Sequence, residues 1–187
     1  MTLDRDMRLL FLDFETGGLS PAEADVLEVG CVLTDPSGRD VLVEYEAKVL
    51  PARPVSPGAA AVNGYDPEAW AREAVPSGDA AEAVEAMSEG AILVCHNATF
   101  DWGFLEPFLK ASGRRWLGGY HRMCTLAMAM PLHRAGVVEG VSLQKLAAYF
   151  KIDPGRAHSA LADARTCREV FLKLMPAYEA AAKAVLV

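Results

Sequence analysis

Hydrophobic positions along this chain form continuous runs in the first half and helically spaced sets in the second. Residues 8–15 (RLLFLDFE) are apolar almost throughout, the pattern of a strand buried on both faces. Gly17-Gly18 and Ser20-Pro21 punctuate its end. The β-branched runs at 26–34 and 41–50 are separated by Asp35-Pro36-Ser37-Gly38, a turn signal that predicts a hairpin. A Pro- and Gly-interrupted stretch follows, then helical spacing over 80–87 and a short apolar strand at 91–95. Beyond Thr99 the pattern is mainly helical, over 100–111, 125–134, 143–150 and from about 159 onward, with Ser142 as the cap of the third. No internal repeat, low-complexity segment or long linker divides the chain. Three strands, then helix, strand and helices, predict one mixed α/β domain over 1–187 with helices packed on a central sheet.

Composition narrows this picture. Of 187 residues 52% are hydrophobic and 23% charged, enough for a core and too apolar for wholesale disorder. No apolar run approaches the ~20 residues of a membrane-spanning helix. Asp4 and Asp6 stand where a signal peptide would be basic, so export is not expected and a cytoplasmic location is. Cys31, Cys95, Cys124 and Cys167 are too widely spaced for a C-x-x-C pair and read as reduced, mostly buried thiols. The net charge of −7 hides a division. Residues 1–93 hold 6 Lys+Arg against 18 Asp+Glu (−12), and residues 94–187 hold 12 against 7 (+5). Such asymmetry marks either a nucleic-acid face or solvated helix surfaces.

Three groups of residues carry chemistry. Asp13 and Glu15 are two apart on a strand, so they leave one face about 7 Å apart along the backbone. Two carboxylates at the end of a buried strand repel each other, an arrangement that a divalent cation between them would explain. Taken alone, D-x-E is more often a strand end with solvated carboxylates. The second group, HNATFDWGFL (His96 to Leu105), begins where a strand ends, and places Asp101 in the first turn of the next helix. Alone, Asp101 reads equally as a helix N-terminal carboxylate and His96 as a structural histidine. The third is RAHSALADA (Arg156 to Ala164). On one regular helix His158 and Asp163 would point about 140° apart. Asp153-Pro154-Gly155 therefore implies that His158 lies on a loop and Asp163 on the helix after it. A loop histidine beside carboxylates suits a general base.

Together the three groups resemble the DEDDh branch of the DnaQ-like 3′–5′ exonucleases. D-x-E-T-G stands at Asp13 to Gly17, H-N-x-x-F-D at His96 to Asp101, and H-x-A-L-x-D-A at His158 to Ala164. Val26 to Gly30 looks like the family's second strand, Val62-Asn63-Gly64-Tyr65 like a degenerate H-G-I segment, and Cys124-Thr125-Leu126 like its D-T-L helix start. The similarity runs from about residue 8 to 175. It implies a ribonuclease H-like fold, a five-stranded mixed sheet with its first three strands antiparallel. It also implies Asp13, Glu15, Asp101, His158 and Asp163 as catalytic residues and two divalent cations, Mg²⁺ or Mn²⁺, as cofactors. Asp13, Glu15 and Asp163 would bind one metal, Asp13 and Asp101 the second, and His158 would activate water. Four carboxylates and two dications sum to zero charge before a phosphate enters.

By the same resemblance Thr16, Gly17, Leu19, His96, Asn97 and Phe100 are the substrate contacts. Arg156, on the basic side of the charge division, is the expected first phosphate contact, with Lys110, Arg114 and Arg115 as weaker candidates. The second group is similar to the proofreading ε subunit of bacterial DNA polymerase III, and Ala157 to Leu161 is as similar to ribonuclease T. The chain runs only some ten residues past Pro176, which leaves no room for the ε subunit's polymerase-binding extension. The expectation is thus a stand-alone exonuclease on single-stranded 3′ ends, DNA ahead of RNA, in repair or proofreading, releasing nucleoside 5′-monophosphates. No membrane is involved, and a homodimer is compatible with the sequence. An RNA-trimming or oligoribonuclease-like enzyme is the alternative, and a catalytically silent nucleic-acid-binding module is the rival of another class.

Overall fold

The computed structural model describes residues 6–155 and 159–185. Five strands form one sheet: β1 (Arg8–Thr16), β2 (Val26–Thr34), β3 (Val41–Lys48), β4 (Ala91–Cys95) and β5 (Arg122–Cys124). Their order is β3-β2-β1-β4-β5. β1, β2 and β3 pair antiparallel, while β4 joins β1, and β5 joins β4, in parallel. The helices are α1 (Pro57–Asn63), α2 (Pro67–Glu73), α3 (Ser77–Ser88), α4 (Ala98–Ala111), α5 (Thr125–Arg134), α6 (Leu143–Phe150) and α7 (Ala160–Val185). This is the expected ribonuclease H-like mixed sheet, antiparallel in its first three strands.

Both faces of β1 are covered, so its side chains divide by parity. Leu10, Leu12 and Phe14 enter a core shared with α3 and α4, where Val84, Phe104, Leu105 and Leu109 are buried. Leu9 and Phe11 enter a second core on the other face, built with Leu146 of α6 and Ala164, Cys167, Val170 and Phe171 of α7. Asp13 and Glu15 continue that second series. Where the apolar packing against α7 stops, the same face of the same strand turns acidic.

The hairpin of β2 and β3 turns at 35–38, with the Asp35 carboxylate accepting from the backbone amides of Ser37, Arg39 and Asp40. Ser142 caps α6 by accepting from the Lys145 amide. The four cysteines are free thiols, three of them buried. Three elements escape the sequence reading. α1 and α2 lie in the stretch read as interrupted, and β5 is a three-residue edge strand too short to show alternation. The prolines that suggested interruption instead start the two helices, behind the caps Ser56 and Asp66. No helix among the described residues is long and apolar enough to cross a membrane.

Candidate active site

The acidic end of β1 meets the first turn of α7. One carboxylate oxygen from each of Asp13, Glu15 and Asp163 lies within 4.8 Å of the others. Two devices on β2 seat α7 there. Gly30 pairs with Asp13 across the sheet and faces the same helix. A Cβ on Gly30 would fall 2.1–2.2 Å from the carbonyl of Ala160 and the amide of Leu161, so the helix start rests directly on the strand backbone. Glu28, opposite Glu15 and only 6% exposed, accepts a 2.8 Å hydrogen bond from the Ala160 amide. The neighbouring β3 adds Glu46, which accepts from Ser159 Oγ, and Glu44, which pairs with Arg165. The pair with Arg165 holds the Glu44 carboxyl below the usual carboxylate range.

Asp101 arrives from the opposite face. It belongs to the first turn of α4, is 2% exposed, and lies outside the group of three. Its charge nevertheless reaches Asp13. Burial pushes the Asp13 carboxyl well above its ordinary value, and the charges of Asp101, Asp163 and Glu15 raise it further. Glu15 is pushed up to about 7 by burial and by Asp163 and Glu28. Asp101 rises to about 8 through burial, against the amides of its own residue and of Phe14, which favour the charged form. Such a set of crowded oxygen donors, with no nitrogen or sulfur among them, fits a hard divalent cation of the Mg²⁺ or Mn²⁺ kind.

Of the expected substrate contacts, Thr16 and Leu19 border one cavity beyond the end of β1, while Asn97 and Phe100 lie at the start of α4. Thr16 is buried, and its Oγ donates to the Gly18 carbonyl at 2.7 Å while its own carbonyl accepts from Asn63 Nδ2 at 3.1 Å. Gly17 donates to Asp25 O and accepts from the Ser56 amide, so its main chain is committed within the protein. Leu19 is 89% exposed at a cavity of ≈ 360 Å³ bordered also by Thr16, Ser56, Val62 and Asn63. Asn63 is thus the useful residue of the degenerate H-G-I segment. Phe100 stacks obliquely on Phe104, with 5.1 Å between ring centroids. Asn97 is exposed, at the left-handed cap of α4.

His96 is tied elsewhere, its Nδ1 lying 3.0 Å from Thr125 Oγ at the start of α5. Burial keeps its pKa below the ordinary histidine value, in part opposed by the Val141 backbone. Arg156 and His158 lie outside the described residues. Gly30 and Glu28 build the site without belonging to any of the three motifs. Their signal is parity, since both lie on the β2 face opposite Asp13 and Glu15, and it is visible only once the register of the two strands is known.

The family profile RNase_T, described as Exonuclease, matches residues 10–171. The chain belongs to the DnaQ-like exonuclease family. A DNA polymerase III of the PolC type from Thermotoga maritima is 31% identical over 171 residues, 91% of this chain. The aligned region is 12% of that polymerase. Ribonuclease T from Yersinia pseudotuberculosis is 30% identical, with 88% of this chain and 82% of that protein covered. A crystal structure of E. coli exonuclease I with a dT13 oligonucleotide superposes with a TM-score of 0.78 at 19% identity, covering 90% of this chain and 41% of the other. That likeness is one of fold.

Proposed function

We propose that this chain is a divalent-metal-dependent 3′–5′ exonuclease that removes nucleoside 5′-monophosphates from single-stranded ends, with DNA ahead of RNA. The observation that carries the reading is the clustering of Asp13, Glu15 and Asp163 in a member of an exonuclease family. Asp13, Glu15 and Asp163 would hold one Mg²⁺ or Mn²⁺, and Asp13 with Asp101 a second. Bound there, the ions supply charge neutralisation at phosphorus and polarise the attacking water. The protein's own part is to keep four acids in place and ionised around them. His158 takes the proton from the attacking water, a role its motif position supports.

The Thr16 hydroxyl already donates to Gly18 O, so its remaining capacity is as an acceptor, which suits a terminal 3′-hydroxyl that donates. The exposed Leu19 and the half-buried Phe100 offer apolar surface to the last bases. Gly17 shapes this edge with its main chain, and His96 and Asn97 place α4 and its Asp101. Arg156 is the phosphate contact on the basic side. The relative of PolC type supports a proofreading or repair role, and the ribonuclease T relative supports RNA trimming as the second reading. An intact acid set argues against a silent binding module.

The test is hydrolysis of 5′-labelled single-stranded DNA and RNA with Mg²⁺, with Mn²⁺ and with excess EDTA, using Asp13→Ala as control. A ladder shortened from the 3′ end in metal only, absent in Asp13→Ala, is expected. Cleavage in EDTA, or internal cuts in a circular strand, would overturn the proposal.

A further inference from the structure

A groove lies between the outer side of α4 and the β5 edge, apart from the acidic site, with a volume of ≈ 620 Å³. It begins at Trp102, the residue after Asp101, and runs along α4 to Lys110. Eight residues of helix make that about 12 Å, the length of roughly three stacked nucleotides.

Its walls join aromatic faces to cations. Arg122 stacks on Trp102 with 3.4 Å from guanidinium carbon to ring centroid, and Trp116 meets Trp102 edge to face at 6.0 Å. The loop bearing Trp116 is held rigidly. Gly119 donates to Ala91 O at 2.8 Å, and Trp116 Nε1 donates to Gly119 O at 3.0 Å. Tyr120 projects beside it, 72% exposed. Arg114 is neutralised by Glu82 and Glu85. Lys110, Arg115 and Arg122 are exposed and enter no ion pair among the described residues, and Glu106 is the one acid lining the groove.

A positive groove with aromatic surfaces is the form in which proteins hold a single strand without reading its sequence. The charge division across the chain adds to this, because the half containing the groove carries the positive surplus. We propose that this groove holds the upstream nucleotides of a single strand whose 3′ end occupies the acidic site. Tyr120 takes a base by stacking, and Lys110, Arg115 and Arg122 take the phosphates. The inference rests on the exonuclease reading for the strand's polarity and adds a second, separate binding subsite to it.

The experiment compares the wild type with Tyr120→Ala/Arg115→Ala, both exposed positions, on a 12-nucleotide strand and on a dinucleotide too short to enter the groove. We expect KM for the 12-mer to rise about tenfold, ~1.4 kcal/mol of binding, with kcat unchanged and KM for the dinucleotide unchanged. The salt dependence of 12-mer affinity, measured by fluorescence anisotropy with Ca²⁺, should fall by about one phosphate contact. An unchanged KM for the 12-mer, or an equal rise on both substrates, would overturn the groove. If the wild type cut neither substrate, the exonuclease reading would fail. The anisotropy arm would still decide the groove, and equal 12-mer affinity in wild type and variant would overturn it.

Discussion

Replacing Gly30 by alanine tests how the acidic site is built. The added Cβ would stand 2.1 Å from the Ala160 carbonyl carbon, where ordinary contact begins at 3.4 Å. Relief needs 3.4 − 2.1 = 1.3 Å of movement, and the obstacle is backbone, so β2 and the start of α7 must part. Asp163 rides on that first turn and leaves Asp13 and Glu15 by a similar distance. Metal–ligand distances tolerate only about 0.2 Å, and a misplacement of ~1 Å in a catalytic group costs on the order of 10²-fold in rate. Overpacking of a closed contact costs about 1–3 kcal/mol, roughly 2–12 °C in Tm for a chain of this size. We therefore expect Gly30→Ala to fold, to melt a few degrees lower, and to lose about 10²-fold in turnover with weakened metal affinity. The measurements are thermal unfolding, exonuclease rate, and Mn²⁺ titration, with Gly78→Ala as control because nothing lies within 4 Å of that Cβ. Gly30→Ala with more than half the wild-type turnover and unchanged Mn²⁺ affinity would refute this account of α7.

Three further outcomes follow from the site. Glu15 and Asp101 titrate near 7 and 8 in the folded chain, against 4.5 and 3.8 ordinarily, so the metal-free fold binds extra protons between about pH 4 and 8. The stability these two groups contribute is full at the low end of that window and is lost as pH rises through 7 to 8, so Tm should fall over that range. Saturating Mg²⁺ or Mn²⁺ should remove most of the fall by binding only the ionised acids, and a flat metal-free profile would contradict the burial argument. His158→Asn should lower kcat by about 10²–10⁴-fold with metal affinity kept, and should abolish a rise in rate through pH ~6.5; full activity with an unchanged profile would remove His158 from the mechanism. A 3′-phosphate on the substrate should slow hydrolysis strongly, since with its hydrogen given to Gly18 O the Thr16 hydroxyl can accept from a 3′-hydroxyl but has none to donate to a phosphate oxygen; equal rates on blocked and free ends would count against this polarity.

What the amino-acid order revealed and what it concealed divide by range. β2, β4, α5 and α6 have the bounds read from periodicity, because each is a run whose neighbours in sequence are also its signal. β3 stops at Lys48, two residues short of its expected end, and α3 begins three residues before its expected start. α1 and α2 are hidden in a stretch whose prolines and glycines look like interruptions, although Ser56-Pro57 and Asp66-Pro67 are each a cap followed by a favourable first helical residue. Asp13, Glu15, Asp101 and Asp163 could be named from motifs. Gly30 and Glu28 could not, since their work depends on a cross-strand register and on a helix 130 residues later in the chain. Arg114, named with Lys110 and Arg115 as a weaker phosphate contact, is bound to Glu82 and Glu85, whereas Lys110 and Arg115 line the groove without an ion pair among the described residues.

The acids of the site come from three layers: Asp101 from α4 on one face of the sheet, Asp13 and Glu15 from the sheet itself, and Asp163 from α7 on the other. The first three precede β5 in chain order, and the fourth belongs to α7, after α5 and α6. A growing polypeptide that has already folded its sheet and α4 therefore lacks a complete acid set. On the proposed reading, the capacity to hold metal is complete only when α7 settles onto Gly30, so a polypeptide made only as far as α6 would not yet cut nucleic acid.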